Sequence, residues 1–274
     1  MKINLKKLKE AKGYKKGEGV LDAETINLAR DYKRRVAGAY APIAPDSIES
    51  KVGGKEIVAT RKIDGEMQVV CFDGKDTVII NGGGTTRAGL PCVTAATKAF
   101  KAAGLKSAVI AAELHVDESG GRTRIYDVVS ALAGKAEDLR LAPYDLIQLD
   151  DKPVEMENYG QVHDKLTELF DKESLCAPVP VARLGARHEV VELFDKWVTK
   201  EGAEGLVVRS ELPMIFKIKP QHPIDAVIIG YNENDEGEGI KDLLLGLSRP
   251  DGTLQVVGRV GNGFDDALCK SLLK

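Results

Sequence analysis

An α+β fold built mainly from antiparallel strands is predicted by three observations: short strand-like runs interleave with a few helical ones, Asp73-Gly74 gives a hairpin signal, and no regular strand–helix–strand alternation occurs. Asp22 can cap a helix over 23–39, because Ile26, Ala29, Tyr32 and Val36 recur at the three- and four-residue spacing of one helix face. Pro42 and Pro45 end it, since proline lacks the amide donor and disfavours a helical residue before it. Strands are expected at 56–63, 66–72 and 76–81, the last two joined through Asp73-Gly74. The alanine-rich run 93–103, closed by Gly104, reads as a helix. Further strands are expected at 108–114, 123–129 and 144–149, helices at 162–170 and 188–199, and strands at 204–209 and 213–219. Proline punctuation at 220–223 precedes three more strands, at 226–231, 243–247 and 254–260, joined by Gly-rich turns. The expected organisation is therefore a larger domain over 1–220, opening with a basic segment, and a smaller β-rich one over 221–274.

The 274 residues carry 39 Lys and Arg against 42 Asp and Glu, a formal net charge of −3, so any nucleic-acid surface has to be a local patch. Lys2, Lys6, Lys7, Lys9, Lys12, Lys15 and Lys16 crowd the start, and Arg30, Lys33, Arg34 and Arg35 lie on the first helix. Two readings of them stay open: a solvated tail and helix face, or phosphate binding. Cys71, Cys92, Cys176 and Cys269 lie far apart, which points to free thiols in the cytoplasm and against structural zinc. His115, His163, His188 and His222 have no metal-ligand spacing. No apolar run approaches the roughly eighteen residues of a membrane span, so a soluble protein is expected.

The informative stretch is Thr60-Arg61-Lys62-Ile63-Asp64-Gly65-Glu66, where a lysine ends a strand and is succeeded by an acid and a turn-permitting glycine. Alone, a lysine in such a place is a solvated turn residue. Taken in order with elements farther along the chain, the stretch resembles the covalent nucleotidyltransferases, and specifically ATP-dependent DNA ligases. Lys62-Ile63-Asp64-Gly65 is similar to the family's nucleophile motif, Thr86-Arg87-Ala88-Gly89 to its Ser/Thr-Arg-x-Gly element, and Ala112-Glu113-Leu114 to its Asp-Gly-Glu segment. Tyr144-Asp145-Leu146-Ile147 is similar to the aromatic-Asp strand beside adenine, Glu204-Gly205-Leu206-Val207-Val208-Arg209 to Glu-Gly-x-Val-x-Lys, and Phe216-Lys217-Ile218-Lys219 to the closing Lys-x-Lys. Asp225-Ala226-Val227-Ile228-Ile229-Gly230 and Gly258-Arg259-Val260-Gly261-Asn262-Gly263-Phe264 resemble the opening of the ligase OB domain.

The resemblance implies an adenylation domain followed by a partial OB domain, acting as a monomer on nicked duplex DNA with ATP and Mg2+. Lys62 would take AMP from ATP. A primary amine attacks phosphorus only when neutral, and a free lysine titrates near ~10.4, so the site has to depress that value by desolvation and neighbouring positive charge. Lys217 and Lys219 would provide that charge and neutralise the α-phosphate. Glu113 and Glu204 are carboxylates at or near strand ends, suited to ribose hydroxyls or to a divalent cation; the resemblance assigns Glu113 to ribose and Glu204 to the metal, with both as candidate ligands. Tyr144 would stack on adenine, and Arg87 would bind ribose or a 5′-phosphate. Thr60 and the backbone around Arg61 would read the adenine edge, with Ile63 beside them.

The pattern is broken at two places, Met67 where an arginine is usual and Arg209 where a lysine is usual. Residues 221–274 supply three strand candidates where an OB barrel has five, and no arginine occurs after Arg259, so the basic cluster with which the family orients pyrophosphate is expected to be missing, and the chain reads as a fragment of a longer ligase in preference to a natural truncation. Two alternatives stand beside this reading. An RNA ligase or capping-type enzyme shares the first step, though the run 225–264 favours DNA ligase; a DNA-end-binding module could keep the fold without the chemistry.

Overall fold

The computed structural model of the chain describes residues 1–117, 122–170, 174–234 and 239–272. It divides into two compact units, Met1–Pro220 and Gln221–Lys274.

In the first unit an eight-stranded sheet, counted among the described residues, runs in the order β1 (Lys9–Glu10), β2 (Lys15–Gly17), β7 (Thr86–Ala88), β6 (Thr77–Asn81), β5 (Glu66–Phe72), β8 (Ala108–Val116), β9 (Leu139–Leu149) and β10 (Lys152–Pro153), each pair antiparallel. Its central strands read as continuous apolar runs because both faces are covered. Val70, Phe72, Ile79 and Ile110 pack under α3 (Pro91–Ala102) and α5 (Tyr159–Phe170), where Phe72, Phe100 and Phe170 meet ring to ring at 5.3 and 5.5 Å. Val69, Cys71 and Ile80 face the other way, toward Ala29 of α1 (Ala23–Asp31). The second sheet orders β11 (Val181–Leu184), β4 (Ile57–Lys62), β12 (Gly205–Arg209), β13 (Phe216–Ile218) and β3 (Ala41–Ile43), antiparallel except for β13 with β3. Its core, Ile57, Ala59, Leu206, Val208 and Ile218, packs on Ile48 of α2 (Ile48–Lys51) and Val190 of α6 (Arg187–Phe194).

The second unit is an antiparallel sheet of β14 (Val227–Glu233), β15 (Ile240–Ser248) and β16 (Leu254–Val260), followed by α7 (Asp266–Ser271). Among the described residues no helix is long and apolar enough to cross a membrane.

The helix expected over 23–39 begins as read, with Asp22 Oδ1 accepting from Thr25 N at 2.8 Å, but after α1 it widens into a π turn at Tyr32–Val36 and tightens at Ala37–Ala39. The strand expected at 123–129 is instead α4 (Ile125–Leu132). Its β-branched residues suggested a strand, yet Val128 and Ala131 alone are buried, one turn apart, and Asp127 accepts from Arg124 N at 2.7 Å to cap the first turn. The basic start is not a tail: β1 and β2 extend the large sheet beyond β7, and Ile3, Tyr14 and Val20 are buried.

Candidate active site

Lys62 is the last residue of β4, in register with Gly205 of β12. The chain can turn back after it because position 65 is glycine: a Cβ there would overlap Leu114 O of β8. Gly205 meets the same condition, since a Cβ would overlap Ile218 O between Lys217 and Lys219. These two close approaches bring the lysine turn beside Glu113 and the Glu204 loop beside the two C-terminal lysines.

The result is a cavity of about 350 Å³ between the sheets of the first unit. Thr60, Arg61, Lys62, Ile63, Val207, Arg209 and Lys217 line it from one sheet, Met67, Glu113 and Tyr144 from the other, and Lys33, Ala37, Gly38 and Tyr40 from the helical segment after α1. Tyr144 reaches it through a bulge: Ala111 pairs with Asp145 and Ala112 with Pro143, leaving Tyr144 as the extra residue of β9. Its carbonyl is held by Tyr159 Oη at 2.7 Å.

Behind the cavity wall Glu204, 8% exposed, receives Lys62 Nζ at 2.5 Å on one carboxylate oxygen and Lys219 Nζ on the other. One carboxylate thus holds two of the three candidate catalytic lysines. Lys217 has its pKa drawn below the usual lysine value, first by burial and then by the charges of Lys62 and Lys219. The Glu113 carboxyl is pushed up to about 8 by burial, with the Glu204 charge adding to the rise, against the opposing pull of Lys62 and a hydrogen bond from Gly65 N–H. A carboxyl whose folded pKa is raised stabilises the fold fully below its unfolded pKa, and that stability is lost as pH rises through about 8. Without divalent cations, Tm should therefore fall between pH ~4.5 and ~8 by several degrees more in the parent than in Glu113→Gln. Parallel Tm curves for the two proteins across that window would contradict the assignment.

Arg209 explains its own departure from lysine. The guanidinium is buried, lies 3.8 Å from the Tyr159 ring centroid and 5.3 Å from that of Tyr40, and donates to Tyr40 Oη at 3.1 Å and to Thr60 Oγ1 at 3.5 Å. A planar cation stacks and forks in this way where an ammonium would not.

Of the residues the sequence singled out, Thr60, Arg61, Lys62, Ile63, Glu113, Tyr144 and Lys217 share the cavity wall, and Glu204 and Lys219 are tied to it through Lys62. Arg61 also pairs with Glu201 at 3.1 Å. Arg87 is not among the lining residues. It sits on β7 opposite Ile79, whose side chain faces α3, and its Nη1 lies 2.9 Å from Glu66. Lys33, whose reading was left open between a solvated face and phosphate binding, and Val207 and Arg209, quoted in the run 204–209 without an assigned role, also line the wall; Tyr40 and Val179 line it without having been singled out.

Among the described residues no three His, Cys, Asp or Glu side chains converge as a closed metal cage. Glu204 and Glu113 instead offer the one or two carboxylates that Mg2+ takes when phosphate oxygens and water complete its octahedron, so the donor set fits.

No family model matches the chain. Over 161 residues it is 29% identical to DNA ligase C1 of Mycolicibacterium smegmatis, covering 54% of this chain and 44% of that protein. The chain thus spans less than half the length of this curated relative. Among solved structures, one from a structure–function study of Lig E DNA ligases is similar at a TM-score of 0.56 and 15% identity, over 85% of this chain and 87% of that one. The structure called Pmar-Lig_Pre is similar at a TM-score of 0.61 and 15% identity, over 92% of this chain and 63% of that one. At these identities the likeness is one of fold.

Proposed function

From the nucleotidyltransferase fold that this chain shares with DNA ligases, we propose that it is the catalytic core of an ATP-dependent DNA ligase that seals nicks in duplex DNA through AMP carried on Lys62. The observation that carries the reading is the charge of the cavity: Lys33, Arg61, Lys62, Arg209 and Lys217 line it with Glu113 as the one carboxylate. A wall with five basic side chains to one acid suits a nucleotide's phosphates, and Tyr144 and Val207 give its base an aromatic and an aliphatic surface.

In the first step Lys62 Nζ attacks the α-phosphorus, the bond to the bridging oxygen breaks, pyrophosphate leaves and Lys62 becomes a phosphoramide. To attack, Lys62 has to lose a proton and its ion pair with Glu204. A Mg2+ ion held by Glu204, with Glu113 near, would supply positive charge to the reacting phosphates and compete with the ammonium groups for Glu204. Lys217 and Lys219 stabilise the charge that develops on the phosphate oxygens. AMP then passes to the 5′-phosphate at the nick, and attack by the 3′-hydroxyl releases it. The three-stranded second unit is read as the opening of an OB-type domain, and the protein as a monomer.

Intact-mass analysis after incubation with ATP and Mg2+ tests the reading. A gain of one AMP, suppressed by excess unlabelled ATP in a labelling format and much less by GTP or NAD, is the expected outcome. Superior competition by GTP would move the protein to the capping enzymes, and no gain under any nucleotide would leave the DNA-end-binding alternative.

A further inference from the structure

Lys33 differs from the two arginines that follow it. Arg34 and Arg35 pair with Asp31 at 3.1 and 3.8 Å, whereas the Lys33 ammonium makes no ion pair among the described residues. Its chain instead crosses Gly82, just after β6, and lines the cavity. A Cβ at position 82 would overlap Lys33 Cδ and lie 3.0 Å from Nζ, so the glycine provides the space through which this lysine reaches the wall. Two of the other cavity cations are engaged with carboxylates, Lys62 with Glu204 and Arg61 with Glu201. Met67, on β5 opposite Glu113, leaves an uncharged stretch of the same wall.

We propose that Lys33 is a phosphate-binding residue of this cavity, supplying from the first helical segment a cation that position 67 does not. The inference rests on the reading of the cavity as a nucleotide site. A lysine whose chain lines the cavity and rests over a glycine, without a carboxylate partner among the described residues, can donate to a phosphate oxygen without first breaking an ion pair. It is a binding residue for the phosphates and leaves the base and sugar alone, so its removal should separate ATP from adenosine.

The experiment measures equilibrium binding of ATP and of adenosine to the full chain and to Lys33→Met, which keeps the stem over Gly82 and removes the charge. Lys33→Met should raise Kd for ATP about tenfold, the scale of one charge-assisted hydrogen bond, and leave adenosine within about twofold. Gly82→Ala, which pushes the stem aside at an unstrained backbone position, should weaken ATP in the same selective way. Met67→Arg should tighten ATP binding more in the Lys33→Met background than in the parent, because the two positions serve one group. Unchanged ATP affinity in Lys33→Met, equal weakening of adenosine, or equal gain from Met67→Arg in both backgrounds would each overturn the proposal. A parent that binds neither ATP nor adenosine would overturn the nucleotide reading itself.

Discussion

Lys62→Ala should lose covalent AMP by at least about a thousandfold, to the background of the assay, because the other amines of the wall, Lys33 and Lys217, come from different elements and lie outside the turn that carries Lys62. Lys217 comes from β13 and lies near the Tyr40 ring, 5.9 Å from its centroid, and Lys219 points to the far side of the Glu204 carboxylate. Neither belongs to the turn that Gly65 allows. The fold should survive the change. Glu204 keeps its pair with Lys219, so no buried charge is left alone, and Tm should move by only a few degrees. ATP labelled at the α-phosphate, followed by denaturing electrophoresis, reads the result. Equal labelling of parent and variant would place the nucleophile elsewhere.

Glu204→Ala should slow adenylylation by on the order of a hundred- to a thousandfold while costing less in stability than a buried carboxylate usually does. Its side chain separates two ammonium groups that otherwise repel each other. Lys219 is 47% exposed and swings into water when released, which limits the cost to the fold. Lys62 is 23% exposed and stays in the wall, now beside the charge of Lys217 and held only by its long contact to Ile63 O at 3.5 Å. Glu204→Gln separates the two roles, because a neutral amide keeps the shape and one acceptor but neither the charge nor the cation affinity. Rates that fall with Glu204→Gln while urea unfolding stays near the parent's support an electrostatic role. Losses of rate and stability in proportion across both variants would make Glu204 a structural residue.

The candidate residues could be picked out before their arrangement could. Lys62, Glu113, Tyr144 and Lys217 announce themselves because short motif-like runs follow one another in order along the chain, and the fold brings the four to one wall. Their surroundings were not legible in the same way. Tyr40 and Val179 carry no motif; they line the wall only because distant segments close over the lysine, a long-range event with no local signal. The bulge that presents Tyr144 depends on pairing with β8, and its one mark in β9 itself is Pro143, a residue that strands carry at bulges. Arg87 shows the converse: the motif led to an expected ribose or 5′-phosphate contact, while strand alternation sends the side chain toward Glu66 and away from the cavity lining. The error at α4 has a simple cause: Val128-Val129 and Ile125 satisfy a strand's composition, and only the burial of Val128 with Ala131 reveals the helical period.

The close approaches at Gly65 and Gly205 set the spacing of the reactive groups by main chain against main chain. Peptide units have one thickness whatever side chains they carry, so the distance from the lysine turn to the Glu113 strand, and from the Glu204 loop to the Lys217–Lys219 strand, is insulated from drift in the surrounding core. Adaptability then resides elsewhere. Thr60, Met67, Val179 and Val207 also line the cavity, and enlarging, shrinking or recharging their side chains would reshape the chamber while the two glycine contacts stay in place. A library that randomises those four positions and holds both glycines fixed is where this scaffold would yield altered nucleotide choice, whereas substitutions at 65 or 205 would yield inactive chains whatever accompanied them.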